Sequence, residues 1–357
     1  WKELSAYFSK PEVKAALARE TAGVPEPERR AFLMANLIAG QLGYRFVTQF
    51  IAQLSSARFI ESIQVISPLV LIAAMLSPYI HAFRQPRREW LREMTRVVGG
   101  TAPAFLGNDK RAWFTDTLDD VNGVATTIQK MAAAGVAAGH DITVLTCQSG
   151  EIAGRIPLKN FQPVGEFELP EYELQRLSFP PLLLIMEHLA RENYSELIIS
   201  TPGPVGLCAL CAAKTLGLRA VGIYHTDFPQ YVRILTDDSF LETLTWNYMH
   251  WFYSQLDIVY VNSQDYRRSW IERGIPAEKL SILPRGLDTR MFHPSRRDAR
   301  CCSSRTTRAI TSRCRAGPPT RATSSIFASA TRFRRTSISR ASFSTTTIAR
   351  RRASTSC

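Results

Sequence analysis

Beyond Arg111 the chain alternates short apolar runs with helix-length stretches. Ala112-Trp-Phe-Thr115 reads as a strand, Val124 to Ala138 as a helix stopped by Gly139, and Asp141 to Thr146 as a β-branched strand. Residues 150–176 are irregular, with one short strand near Val164 to Leu169. Pro181 to Asn193 is an apolar helix and Glu196 to Ser200 a strand, after which Thr201-Pro-Gly-Pro204 turns into a helix from Val205 to Leu216. Arg219 to Tyr224 is a strand ending at His225-Thr-Asp-Phe-Pro229, and one long amphipathic helix covers about Tyr231 to Leu256. Asp257 to Val261, Gln264 to Arg273 and Leu280 to Leu283 complete a strand-helix-strand series. Apolar strands alternating with helices predict a parallel sheet covered on both faces, a single α/β domain over roughly 110–290.

Residues 1–100 follow a different pattern. Pro25-Glu-Pro-Glu-Arg-Arg30 separates two helical stretches, and Ala31 to Phe50 keeps apolar positions at helical spacing. Val65 to Phe83 runs without Asp, Glu, Lys or Arg, and Arg84, Arg87, Arg88, Arg92 and Arg96 follow it. That length approaches a transmembrane span with a cytoplasmic basic flank, whereas Pro68, Pro78 and His81 suit a helix pair packed in protein. Trp90 and Leu91 within the basic run fit an amphipathic helix on an anionic surface; a solvated helix face is the plainer alternative. Gly99 to Asn108 reads as a linker.

Charge changes the picture only at the C-terminus. The chain carries a formal +13, but residues 301–357 hold 12 Arg and no Lys, Asp or Glu, which leaves 32 Lys+Arg against 31 Asp+Glu before them. The first 300 residues therefore give no reason to expect nucleic acid. In the tail 43 of 57 residues are Ser, Thr, Arg or Ala, a composition that cannot build a core. The tail is expected to be disordered, and a frameshifted translation of GC-rich coding sequence is the preferred explanation over a native linker or a basic nucleic-acid-binding arm. With Trp1 in place of Met, the N-terminus is expected to be a fragment edge. Cys208-Ala-Leu-Cys211 has CxxC spacing inside an Ala-rich helix, which favours buried thiols over a metal or redox pair. A reducing cytoplasm suits this cysteine usage. Asp119-Asp120 lacks a third clustered ligand for a metal.

The candidate chemistry lies where strands end. Asp116 to Gly123, Ser200 to Pro204 and Tyr224 to Pro229 are three successive strand-to-helix loops, and in open parallel sheets such loops converge on the ligand edge. Asn122-Gly123 opens a helix whose positive dipole end suits phosphate, and Gly123 allows close backbone approach; a simple turn is the alternative. Asp116, Thr201 and Gly203 are candidate substrate-binding residues. His225 can orient a reacting group or be an ordinary strand-end histidine. Asp227 can bind sugar hydroxyls or cap the helix that follows.

Taken in order, Thr115-Asp-Thr-Leu-Asp-Asp-Val-Asn-Gly-Val124, His225-Thr-Asp-Phe-Pro229, Val261-Asn-Ser263 and Leu283-Pro-Arg-Gly-Leu-Asp288 with Met291-Phe-His-Pro294 resemble the N-terminal half of a GT-B glycosyltransferase of family 4, the group 1-like retaining transferases. The resemblance covers about residues 110–295. It implies a Rossmann-like, acceptor-side domain facing a second domain across a cleft. It also implies a nucleotide-sugar donor, a glycan or lipid acceptor, retention of anomeric configuration and no metal cofactor. By the same resemblance Asn122 and Gly123 approach the donor diphosphate and His225 lies by the reacting sugar. The segment from 291 would begin the crossing into the second domain. That domain carries the family's donor-clamping Arg and Lys and its acidic motif, and residues 301–357 hold no counterpart. Little transferase activity is expected of this chain. A cytoplasmic location follows, peripheral at the inner membrane face if the acceptor is a lipid. A non-catalytic α/β binding module fused to a helical partner is the alternative class, and a dinucleotide-dependent oxidoreductase is disfavoured because no GxGxxG follows the first strand.

Overall fold

A computed structural model describes residues 9–55, 67–83, 88–100, 109–120, 122–150, 152, 156–169, 172–283 and 293. Contacts divide the chain after Arg285, into Trp1–Arg285 and Gly286–Cys357. Residues 101–108 of the expected linker, residues 284–292, and the Arg/Ser/Thr tail lie outside the described residues.

Four helices come first: α1 (Pro11–Thr21), α2 (Pro27–Ser55), α3 (Ser67–Phe83) and α4 (Arg88–Val98). The α/β part then runs β1 (Arg111–Phe114), α5 (Gly123–Ala137), β2 (Ile142–Cys147), β3 (Leu158–Phe161), β4 (Gly165–Leu169), β5 (Tyr172–Phe179), α6 (Leu182–Arg191), β6 (Glu196–Ile199) and α7 (Pro204–Leu216). It closes with β7 (Arg219–Tyr224), α8 (Phe228–Thr236), α9 (Ser239–Ser254), β8 (Ile258–Val261), α10 (Gln264–Glu272) and β9 (Leu280–Ile282). Seven strands form one sheet in the order β3-β2-β1-β6-β7-β8-β9, and every pair in it is parallel. The fold is therefore the expected α/β class with a Rossmann-like parallel sheet. Strand order reverses between β1 and β6, so the crevice at their carboxyl ends is the topological switch point where ligands bind in such sheets.

The sheet is covered as its composition demands. Phe114, Leu145, Leu197, Ile199, Val259 and Val261 are buried against α6, α7 and α9 on one side, while Trp113, Val144 and Ile223 pack with Ile128 and Ala132 of α5 on the other. A run such as Ile-Ile or Val-Leu loses both neighbours to solvent-free faces, which is why these strands are apolar throughout rather than alternating.

Three elements depart from the sequence reading. The irregular stretch holds the expected strand as β4, but also β3, paired in parallel with β2, and β5, which forms an antiparallel hairpin with β4. The single helix expected over Tyr231 to Leu256 is two helices. Asp237 takes a left-handed conformation at φ 53°, and the Asp238 side chain accepts from the amides of Phe240 and Leu241 to start α9. Two acidic residues in succession thus stop one helix and cap the next. Finally, Cys211 is exposed, while Cys208 one helical turn earlier is buried.

The apolar stretch before Phe83 packs against protein in its described part. Leu76 of α3 is buried with Phe32, Ala35 and Ala39 of α2 and Leu183 of α6. Phe32 also meets the rings of Tyr79 and Phe83 edge-on. Among the described residues no helix is long and apolar enough to cross a membrane. The N-terminal helices also reach the α/β part elsewhere. Arg29 pairs with Glu187 of α6, and the Tyr44 hydroxyl donates to the Glu166 carbonyl at 2.6 Å, its ring lying over Gly165.

Candidate functional site

The switch crevice brings together most of the residues picked from the sequence, but in two unlike arrangements. In the first, the β1 loop turns back on α7. The Thr201 hydroxyl donates to Asp116 Oδ2 at 2.5 Å, and the Val205 amide donates to Asp116 Oδ1 at 2.8 Å. The Asp116 amide in turn donates to Thr201 Oγ1 at 3.1 Å. A Cβ on Gly203 would come within 2.7 Å of the carboxylate, so only glycine leaves room for it. Asp116 is buried, and burial pushes its carboxyl up to about 6 despite opposing hydrogen bonds from Thr201, Val205 and Gly206. Asp116, Thr201 and Gly203 thus satisfy one another, and the carboxylate occupies the positive end of α7.

In the second arrangement the start of α5 remains open. Asn122 is its N-cap, with Oδ1 accepting from the Ala125 amide at 2.8 Å and Nδ2 donating to Thr117 Oγ1 at 3.2 Å. Thr117 is held by its amide bonding to Thr115 Oγ1. The Asn122 side chain is itself neutral, and the Asp120 carboxylate lies 3.5 Å from its Nδ2. Around Gly123 nothing lies within 4 Å of where a Cβ would stand. Two helix N-termini therefore flank the crevice, one filled by a carboxylate and one facing open space.

The next loops along the edge supply the rest. His225 follows β7, and its carbonyl accepts from Asn262 Nδ2 at 3.3 Å. Asn262 Oδ1 is buried and makes no hydrogen bond among the described residues. Asp227 stands at the N-cap of α8 yet makes no side-chain cap bond; it accepts from the Tyr224 hydroxyl at 3.1 Å. Of the two roles open to Asp227 in sequence, capping by the side chain is the one the geometry does not use. Burial drives the Tyr224 phenol upward, with the neighbouring Asp227 adding to it, so this hydroxyl stays a donor. Ser263 caps α10 through the Tyr266 amide.

Residues 121–291 match the model of Glycosyltransferase Family 4. Over this stretch the chain is similar to that family. Sulfoquinovosyl transferase SQD2 of Arabidopsis thaliana is 29% identical over 129 residues, which cover 36% of this chain and 25% of that protein. Two crystal structures of Anabaena HepE, one with UDP and glucose and one with UDP-glucose, align at TM-score 0.36 and 16% identity. They cover 53% and 52% of this chain and 48% and 47% of theirs. The chain thus spans a quarter of the curated relative and about half of the solved structures.

The groups that hold these loops leave no mark in the sequence. Tyr248 of α9 donates to the Pro202 carbonyl at 2.6 Å, pinning the Thr201–Pro204 turn from 46 residues away. Trp113 Nε1 donates to Ser200 Oγ at 2.6 Å, tying the ends of β1 and β6. Neither has a local signal, because each partner is chosen by tertiary packing. Nor does the sequence mark a surface groove of ≈ 630 Å³ that begins at Asp227 and runs between α8, α9 and α10. Among the described residues no group of three or more His, Cys, Asp or Glu is placed to hold a metal ion.

Proposed function

We propose that this chain is the acceptor-side half of a retaining glycosyltransferase, which moves a sugar from a nucleotide-sugar donor to a saccharide or lipid-linked acceptor. The observation that carries the reading is the contrast between the two helix ends at the switch point. A diphosphate needs uncommitted N–H donors and a positive field. Asp116 denies both at α7, whereas α5 offers them beside Gly123. Helix dipole and backbone donors can carry diphosphate charge there without a metal. His225, two strands away along the same edge, is the residue assigned to the reacting sugar. The relative's name, a sulfoquinovosyl transferase, and the UDP-glucose held by HepE make UDP-sugars the first donors to test.

Gly123→Ala separates this reading from a bland turn. No clash awaits the new methyl, so the variant is expected to fold and melt like the parent. UDP-glucose affinity, measured by calorimetry, is expected to fall about tenfold as the methyl holds the phosphate off the backbone. Unchanged affinity would remove the α5 terminus from the donor site. Residues 1–357 are also expected to show negligible transfer from any nucleotide sugar, since the donor-clamping groups of the family belong to a second domain; robust turnover by the purified chain sinks that expectation.

A lipid-linked acceptor would place the protein at the cytoplasmic face of a membrane. Helix α4 supports this, because Trp90, Met94, Val97 and Val98 fall on one side of it and Val98 is 75% exposed. Val97→Glu with Val98→Glu is expected to abolish co-sedimentation with anionic vesicles. Absence of vesicle binding in the unmodified chain would leave soluble saccharides as the acceptor class.

A further inference from the structure

Helix α9 is apolar on both sides. Its inner face puts Met249, Phe252 and Tyr253 into the core against the sheet. Beyond its first residue, its exposed positions are Phe240, Thr243, Leu244, Asn247 and Trp251. They follow i, i+3, i+4, i+7 and i+11, which makes one stripe on the side opposite to the core. None of the five is charged, and Phe240 and Trp251 are 58% and 48% exposed. Glu242, the one acidic or basic residue of the helix, lies off the stripe and pairs with Arg233 of α8 at 3.7 Å. An outer helix of an α/β domain normally turns a charged face to water, whereas a helix that is apolar all round is a buried one. Helix α8 widens the stripe, because Tyr231, Ile234 and Leu235 are each about half exposed and the Asp237-Asp238 turn folds α8 back along α9. Contiguous apolar surface of this kind marks a contact site.

The stripe is suited to a copy of itself. Phe240, Leu244, Asn247 and Trp251 step by four, three and four residues, the spacing by which two helices interlock along a seam. A single Asn in such a seam specifies one register, because its amide is satisfied when it meets a second amide that donates and accepts in turn. In a two-fold pair the helices run antiparallel with opposed dipoles. Asn247 then meets Asn247 on the axis, and Leu244 of each copy faces Trp251 of the other. A stripe without charge brings no like charges together at that axis.

We propose that the α8–α9 face is a self-association surface, on which two copies of this chain pair through antiparallel α9 helices with Asn247 at the two-fold axis. The pairing is independent of the transferase reading, because it uses none of the groups at the strand ends.

The test is sedimentation equilibrium of the full chain over a range of protein concentrations, where the unmodified chain is expected to reach a dimer. Asn247→Lys and Asn247→Asp each set two like charges at the axis from an exposed position. Both variants are expected to melt like the parent and to raise the dimer dissociation constant at least about tenfold. An equimolar mixture of the two is expected to restore the dimer, because unlike copies then pair. A parent that stays monomeric, variants that associate as the parent does, or a mixture no more associated than its components would each overturn the proposal. Leu244→Glu separates the remaining occupant: loss of binding to neutral lipid vesicles, with self-association unchanged, would give the face to a membrane instead.

Discussion

Gly206→Ala is expected to destabilise the protein by about 3 kcal/mol or more, where Gly123→Ala changes stability by well under 1 kcal/mol. Both glycines lie in the first turn of a helix at the switch point, so helix propensity alone would make either substitution neutral to favourable. Packing decides otherwise. A Cβ on Gly206 would overlap the Thr201 carbonyl oxygen and crowd Ile199, and both are fixed: one is backbone, the other a buried strand residue. The helix would have to slide away from the turn, pulling the Val205 amide off Asp116 and leaving a buried carboxylate short of a donor. Urea melts of the two variants beside the parent check this. Equal midpoints for Gly206→Ala and the parent would show that the turn yields and that α7 is not locked to β1.

That contrast also marks what the sequence could reveal. The parallel sheet was legible because doubly buried strands must be apolar, and Glu196 to Ser200 or Asp257 to Val261 can hardly be anything else. The helix stop at Gly139 was legible because Gly139 takes φ 86°. Edge strand β3 was not, since Leu158-Lys-Asn-Phe161 buries little and carries no period that distinguishes it from a loop. Asp237 hid inside an amphipathic pattern that continues on both sides of it, and only its backbone conformation breaks the helix. The candidate site divided the same way. Asn122-Gly123 carries local capping grammar, and its openness is what that grammar anticipates. Asp116 was picked because a carboxylate at a strand end can face a ligand, yet its partners lie 85 and 89 residues further on. A loop sequence cannot state that a second loop will close over it. The groove between α8, α9 and α10 was invisible for the same reason, being assembled from three helices that the long-helix reading had merged into two.

Asp116 should make stability fall as pH rises from about 4 to about 7, by on the order of 3 kcal/mol, and Asp116→Asn should remove that slope. The sign follows from where the proton sits. Burial holds the folded carboxyl at about 6 against an ordinary 3.8. Below the ordinary value both states are protonated and this group contributes no slope. Between the two values the folded protein keeps a proton that the unfolded chain has released, so each step up in pH favours unfolding. Above about 6 both states are ionised and the penalty stays constant. Asparagine is never charged, and its side-chain oxygen can still accept from the Val205 amide, so the variant should gain on the parent as pH rises across this window. Urea midpoints of both proteins across that range are the measurement, and parallel curves would mean that the carboxylate is hydrated rather than buried against α7. The donor site sharpens the point. An ionised Asp116 above about pH 6 fills the α7 dipole most completely, so the pH at which the fold bears its largest burial penalty is also where α7 differs most from α5 with its neutral Asn122 cap.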